Sequence, residues 1–197
     1  MSAQTLTAAP AAAVAVPVNV IGIDPSLTGT GIASSRGWVE LVGQKDVTKL
    51  PLLPRIAAVA RLAAEVVQLV GTPDLVVIER PAFSRSGGGA VERHALWFEI
   101  VRSLIARQIP VAEAANQHRM RYATGKGSAQ KNAIVDAVAR RLPLFDTSGN
   151  DNLCDAAVLC ALGCDWLGHP LAVMPATHRR AVTDMNWPDL GVRGMPR

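Results

Sequence analysis

Val18-Asn19-Val20-Ile21-Gly22-Ile23-Asp24-Pro25-Ser26 is the stretch on which the reading of the chain turns. Residues 18–24 are a short apolar run closed by the turn signal Asp24-Pro25-Ser26, which predicts a buried strand ending on a carboxylate. Residues 29–34 and 38–42 follow as two more strands, with Arg36-Gly37 as the hairpin turn between them. Three strands with tight connections predict an antiparallel meander.

Outward from that meander the pattern changes period. Residues 54–70 predict a helix: Pro54 suits its first position and Gly71 its C-terminal cap, while Ile56, Val59, Leu62, Ala63, Val66 and Val70 keep a helical spacing. Residues 75–79 are a short, wholly apolar strand that ends on Glu79. Strand, helix, strand makes it a parallel neighbour of the first strand, buried on both faces. Residues 84–89 form a Gly/Ser loop. Residues 90–108 predict a second helix, whose apolar residues as a set, from Val91 through Trp97, Phe98, Val101 and Ile105, cover an arc of about 200°. That is wider than contact with one sheet requires and suggests a second copy of the helix, although Trp187 and Leu190 further on could also cover Phe98. Residues 110–114 are a further strand, and 129–142 and 151–167 are helices. The fold class is α/β, a mixed five-stranded sheet flanked by helices.

A chain of 197 residues with 49% hydrophobic content suits one globular domain. Residues 1–17 are Ala-rich, with Pro10 and Pro17 but neither a basic start nor a cleavage-site pattern, and read as a disordered leader. Residues 18–167 form the domain. Residues 168–197, with Pro170, Pro175, Pro188 and Pro196, read as an irregular C-terminal tail. No apolar run reaches the ~18 residues of a membrane span, so no membrane partner is expected. Cys154, Cys160 and Cys164 are odd in number and lack zinc-site spacing. They read as reduced core thiols, consistent with a bacterial or phage-infected host cytoplasm. Net charge is +4, yet residues 80–141 carry eleven Lys/Arg against four Asp/Glu, a local +7. Such a concentrated basic stretch suits a phosphate-backbone partner.

Three acidic positions stand out. Asp24 and Glu79 end strands expected to be parallel neighbours, and Asp151 and Asp155 lie one turn apart at the start of the last helix. Matching strand ends ~4.8 Å apart can share a cation, and hard oxygen donors select Mg²⁺ or Mn²⁺ over zinc. Two such ions ~3.5–4 Å apart can carry out phosphodiester hydrolysis. Taken singly, each acid has a plainer reading as a turn residue, a solvated strand end or a helix cap. The joint pattern is what points to metal chemistry.

These residues carry a resemblance. Ile21-Gly22-Ile23-Asp24-Pro25-Ser26 with Thr28-Gly29-Thr30-Gly31-Ile32-Ala33 resembles the first-strand motif of RuvC-type Holliday junction resolvases. Val77-Ile78-Glu79, Gly127-Ser128-Ala129-Gln130-Lys131 and Asp155-Ala156-Ala157 are similar to that family's later motifs, in the family's order. The matches run from about residue 18 to 167, and the small size and divergent spacing resemble a phage-type member. The resemblance implies an RNase H-like fold and a Mg²⁺-dependent, structure-selective endonuclease, usually a homodimer, that cuts four-way and related branched DNA. It implies Asp24, Glu79 and Asp155 as metal ligands, and Lys131 as support for the scissile phosphate. The family's upstream partner of the last acid falls on Asn152. Asp151 is therefore taken as the fourth acidic ligand, with Asn152 assisting as a neutral one. The family's aromatic wedge falls on Ala82, with Phe83 next. A second family lysine falls near Met120, flanked by Arg119 and Arg121. Phe83, Arg85, Arg119, Arg121, Lys126 and Lys131 are the expected DNA contacts.

Three other classes compete. A broader branched-DNA or flap endonuclease would use the same acids. A non-catalytic DNA-binding module would be expected to have lost some of them. A sugar kinase or actin-like ATPase starts with a similar strand, but needs a second phosphate loop and more chain than is present.

Overall fold

The structure, a computed structural model, describes residues 18–81 and 89–190. The leader and the 84–88 part of the Gly/Ser loop lie outside those residues. Five strands form one mixed sheet: β1 (Val20–Asp24), β2 (Thr30–Ser34), β3 (Val39–Val42), β4 (Leu75–Glu79) and β5 (Val111–Ala114), in the order β3-β2-β1-β4-β5. The first three are antiparallel, and β4 and β5 add in parallel. The meander turn is as expected. Gly37 takes φ 93°, and Ser34 N–H donates to the Trp38 carbonyl at 2.9 Å. Beyond β1 the chain is held by a reciprocal pair: Thr30 Oγ donates to the Ser26 carbonyl at 2.7 Å and accepts from Ser26 N–H at 3.0 Å.

Six helices complete the layers: α1 (Leu52–Val70), α2 (Ala90–Ala106), α3 (Asn116–Thr124), α4 (Lys131–Arg141), α5 (Asp151–Trp166) and α6 (Ala176–Thr183). The twofold period of the strands divides the core in two. Ile21, Ile23, Val76 and Ile78 point to α1 and α2. Val20, Leu75 and Val77 point to the opposite layer, built on α5 with α3, α4 and α6 behind it.

α5 is apolar nearly all round, with twelve of its residues buried, the three cysteines among them. It lies unusually close to the sheet because glycines clear its path. A Cβ on Gly22 would overlap the Ala156 carbonyl oxygen and the Cys160 amide nitrogen, and lie 3.1 Å from Cys160 Cα. A Cβ on Gly31 would overlap the backbone of Asn152. From the helix side, a Cβ on Gly163 would come within 2.7 Å of Val77 and 2.8 Å of Val20. Each is well inside ordinary carbon contact distance.

Two elements correct the sequence expectation. α3 has almost no apolar period, yet it is helical and buries Arg119, Tyr122 and Ala123. The segment from 168 on is not an irregular tail throughout. It contains α6, buries Met174, His178, Ala181 and Met185, and stacks Trp187 on Trp166 with centroids 4.5 Å apart. Asp165 fastens it: this buried carboxylate accepts from Arg179 of α6 at 2.8 Å and from the Tyr122 hydroxyl of α3 at 3.3 Å. Smaller shifts concern ends. α1 starts two residues before Pro54, and α2 stops at Ala106, with Gln108 at φ 57°.

Candidate active site

β1 and β4 are aligned in parallel with Ile23 opposite Ile78. Asp24 and Glu79, one residue further on, therefore end neighbouring strands at the same level. α5 begins above them. Asn150 caps it, its side-chain oxygen accepting from Leu153 N–H at 3.2 Å, which satisfies a backbone donor that the first turn leaves free. One turn on, Asp155 joins the two strand acids. The glycines of β1 and β2 are what let α5 bring it this low.

Three carboxylates in one partly dry place repel one another, and their proton affinities record it. Burial holds Asp24 well above the usual carboxylate range, and the charges of Glu79 and Asp155 add to the effect. Glu79 is raised by burial against the opposing pull of Arg119. Asp155 is pushed up to about 6, mainly by burial, with Glu79 and Asp151 contributing and Arg119 opposing.

Arg119 was expected on a DNA-contacting face, but it lies inside the cleft, 5% exposed. Its Nε donates to Glu79 Oε2 at 2.5 Å and its Nη1 to Asp155 Oδ1. Nη2 reaches Glu79 Oε1 at 3.5 Å and Asn116 Oδ1 at 3.3 Å. The one sign of it in the sequence was its place beside Met120, where the resembling family carries a lysine.

Asp151 and Asn152 part company. Asp151 stays at the rim and takes the Lys131 ammonium at 3.1 Å. Asn152 turns to the sheet and donates its amide to the Gly29 carbonyl at 2.6 Å, tying α5 to the loop after β1. Lys131, the first residue of α4, is exposed, as is Lys126. Arg121 pairs with Asp184, the residue that follows α6. With Arg180, these two line an open groove of ≈ 630 Å³, so the segment read as a tail contributes a cation that sequence reasoning missed. Phe83 and Arg85 lie outside the described residues.

The donor set is all hard oxygen. Asp24, Glu79 and Asp155 against Arg119 leave two surplus negative charges when ionised, the balance that a divalent cation neutralises. As the side chains stand, with the guanidinium paired to two of the acids, no three His, Cys, Asp or Glu among the described residues are gathered to hold an ion. Among the same residues, no helix is long and apolar enough to cross a membrane.

No protein-family model matches the chain. Over 160 residues it is 28% identical to the crossover junction endodeoxyribonuclease RuvC of Actinobacillus succinogenes, covering 78% of this chain and 83% of that protein. Over 153 residues it is 25% identical to the protein of the same name from Prochlorococcus marinus strain MIT 9303, covering 74% and 97%. Its fold matches that of Thermus thermophilus RuvC with a TM-score of 0.57 at 20% identity, over 80% of this chain and 99% of the other. In sequence and in fold the chain is similar to RuvC-type proteins. A second match, to T. thermophilus RuvC in complex with Holliday junction substrate, has a TM-score of 0.55 at 19% identity, over 73% and 90%. The RuvC-type architecture is the mixed five-stranded, RNase H-like sheet that the first-strand motif implied. In this chain the matched ends of β1 and β4 form the floor of the cleft, and α5 forms its wall.

Proposed function

We propose that this chain is a divalent-metal-dependent endonuclease that cuts Holliday junctions and related branched DNA. The single observation carrying the reading is the meeting of Asp24, Glu79 and Asp155 at one cleft of a RuvC-type fold. The similarity to proteins named crossover junction endodeoxyribonuclease supplies the substrate class. Asp24, Glu79 and Asp155 would hold Mg²⁺, for which Mn²⁺ can substitute, with Asp151 at the rim as a fourth ligand; Asn152, expected as a neutral ligand, instead holds α5 to the Gly29 carbonyl. Bound there, the ions supply Lewis acidity that activates a water and stabilises the leaving 3′ oxygen.

The chain's own residues do the rest. Buried walls around Asp24 and Glu79 keep bulk water out and strengthen every charge interaction inside. Lys131 sits at a helix N-terminus, where a cation opposes the helix dipole. Its ammonium, tethered to Asp151, is free on its other side to meet a phosphate. Arg121, Lys126 and Arg180, together with Phe83 and Arg85, which follow β4 in the sequence, provide contacts to the DNA backbone and the branch point. The deciding experiment presents four-way junctions, flaps and linear duplex with Mg²⁺ or Mn²⁺. The proposal expects symmetric cuts in the junction, metal dependence and neglect of duplex. Equal cutting of flaps would select the broader enzyme, and no cutting of any substrate would leave only a binding module.

Lys131→Ala tests the role of that residue. Charge grows on the phosphate in the transition state, so cleavage should slow by about 10²-fold. Binding, spread over many cations, should weaken by no more than about threefold. Single-turnover rates and gel-shift affinities measured on the same junction separate the two. Equal losses would make Lys131 a positioning contact only.

The enzyme we propose works as a homodimer. Val91, Phe98 and Ile105 are 77%, 64% and 61% exposed. Spaced by seven residues, they form one apolar stripe about 21 Å long on α2. Exposed Leu52, Leu53 and Ile56 extend the patch on α1, which packs beside α2. Trp97 packs inward, while Trp187 and Leu190 lie against the other core layer and leave the stripe open. A second copy of α2 is the self-complementary cover, and a two-fold pair places one cleft on each continuous strand of a junction. Sedimentation should show a dimer for the full chain and a monomer for Phe98→Glu; a monomeric parent protein would overturn this.

A further inference from the structure

Arg119 is the only cation among the described residues that is both buried and paired to two acids of the cleft. A buried guanidinium clamped between carboxylates seldom stabilises a fold more than apolar packing would. Its value here is that it neutralises acids which would otherwise repel one another while being drained of water. It is also the group standing where a metal would have to stand: it already engages Glu79 through both carboxylate oxygens and Asp155 through one. Guanidinium and divalent cation therefore compete for the same lone pairs.

We propose that Arg119 is the resident counter-cation of the cleft, and that a divalent ion binds by exchange with it. The inference rests on the reading of Asp24, Glu79 and Asp155 as the metal site. The backbone of α3 does not need to move for the exchange. It is fixed to α5 by the Tyr122 hydroxyl, which donates to the Ala161 carbonyl at 3.2 Å, and to α6 by His178 Nδ1, 2.8 Å from the Tyr122 carbonyl. The long side chain of Arg119 pivots instead. Asn116 Oδ1, one turn back and already 3.3 Å from Nη2, offers the guanidinium an acceptor outside the carboxylate set. Arg119 is thus a positioning residue: it keeps the acids assembled without metal and lowers the affinity of the free protein for metal.

Two measurements on the full-length protein test this without DNA or turnover. The first titrates Mn²⁺ alone and follows the free ion by electron paramagnetic resonance, for the parent protein, Arg119→Gln and Asp24→Asn. Arg119→Gln should bind Mn²⁺ at least tenfold more tightly than the parent, and its melting temperature should rise more on Mn²⁺ addition. Asp24→Asn should lose the site. Unchanged or weaker affinity in Arg119→Gln, with the site still lost in Asp24→Asn, would overturn the exchange while leaving the metal site standing. Indifference to Asp24→Asn would overturn the metal-site reading and the exchange with it. The second needs no variant and decides the matter if Arg119→Gln does not fold. Mg²⁺ is added to ¹⁵N-labelled protein, with saturation read from the backbone amides of Asp24 and Glu79. The slowly exchanging Nε–H signal of Arg119 should move to the shift and exchange rate of a free guanidinium. A signal unmoved at saturation would show that the ion and Arg119 do not compete.

Discussion

Asp24→Asn should abolish cleavage and spare binding. Asp24 is held at the end of β1 with Glu79 level with it, and burial with the charges of Glu79 and Asp155 raises its proton affinity well above the usual carboxylate range. The substitution keeps the shape of the side chain and removes its charge. Losing one charged ligand from a site that must neutralise a divalent ion is worth roughly 4 kcal/mol of transition-state stabilisation, or about 10³-fold in rate. Junction affinity rests on Lys and Arg contacts to phosphates. Removing a negative charge from the cleft should leave it unchanged or slightly tighter. Single-turnover cleavage with Mg²⁺, beside gel shifts in Ca²⁺, gives both numbers. A variant that still cuts at the parent rate would remove Asp24 from the chemistry and the mechanism with it.

Gly22→Ala should damage stability and cleavage together. The added methyl would meet the Ala156 carbonyl oxygen, the Cys160 amide and Cys160 Cα, all main-chain atoms of α5. A side chain can rotate away from such a clash; the backbone of a buried helix cannot. Overpacking of this kind costs about 3 kcal/mol. The relief available is for α5 to lift from the sheet, carrying Asp155 away from Asp24 and Glu79. A displacement of ~1 Å at a catalytic group costs about 10²-fold in rate. Chemical denaturation and cleavage of the folded fraction separate the two effects. A stable, fully active Gly22→Ala would mean that α5 is not wedged against β1.

What the sequence made legible follows from where hydrophobic periodicity is strong. The five strands and helices α1, α2, α4 and α5 carry it, and their ends fell within a few residues of the observed ones. The alignment that puts Asp24 level with Glu79 followed from strand, helix, strand order. α3 and α6 were missed because segments such as Asn116-Gln117-His118-Arg119 have no apolar stripe; they are helical because Tyr122 and His178 find buried partners far away in the chain. The inward turn of Arg119 was illegible for the same reason. Spacing cannot show which of two neighbouring arginines faces three acids contributed by β1, β4 and α5.

That scatter along the chain has a temporal side. The acids lie at 24, 79 and 155, with their counter-cation at 119, so only a stretch running from 24 to 155 contains them all. Domains emerge from the ribosome N-terminus first, at ~5–20 residues per second. A nascent chain can lay β1 beside β4 well before α5 has been synthesised, and until α5 docks the cleft lacks its wall and one of its acids. A nuclease built this way comes into being disarmed, and gains its cutting centre only once α5 has left the ribosome and docked.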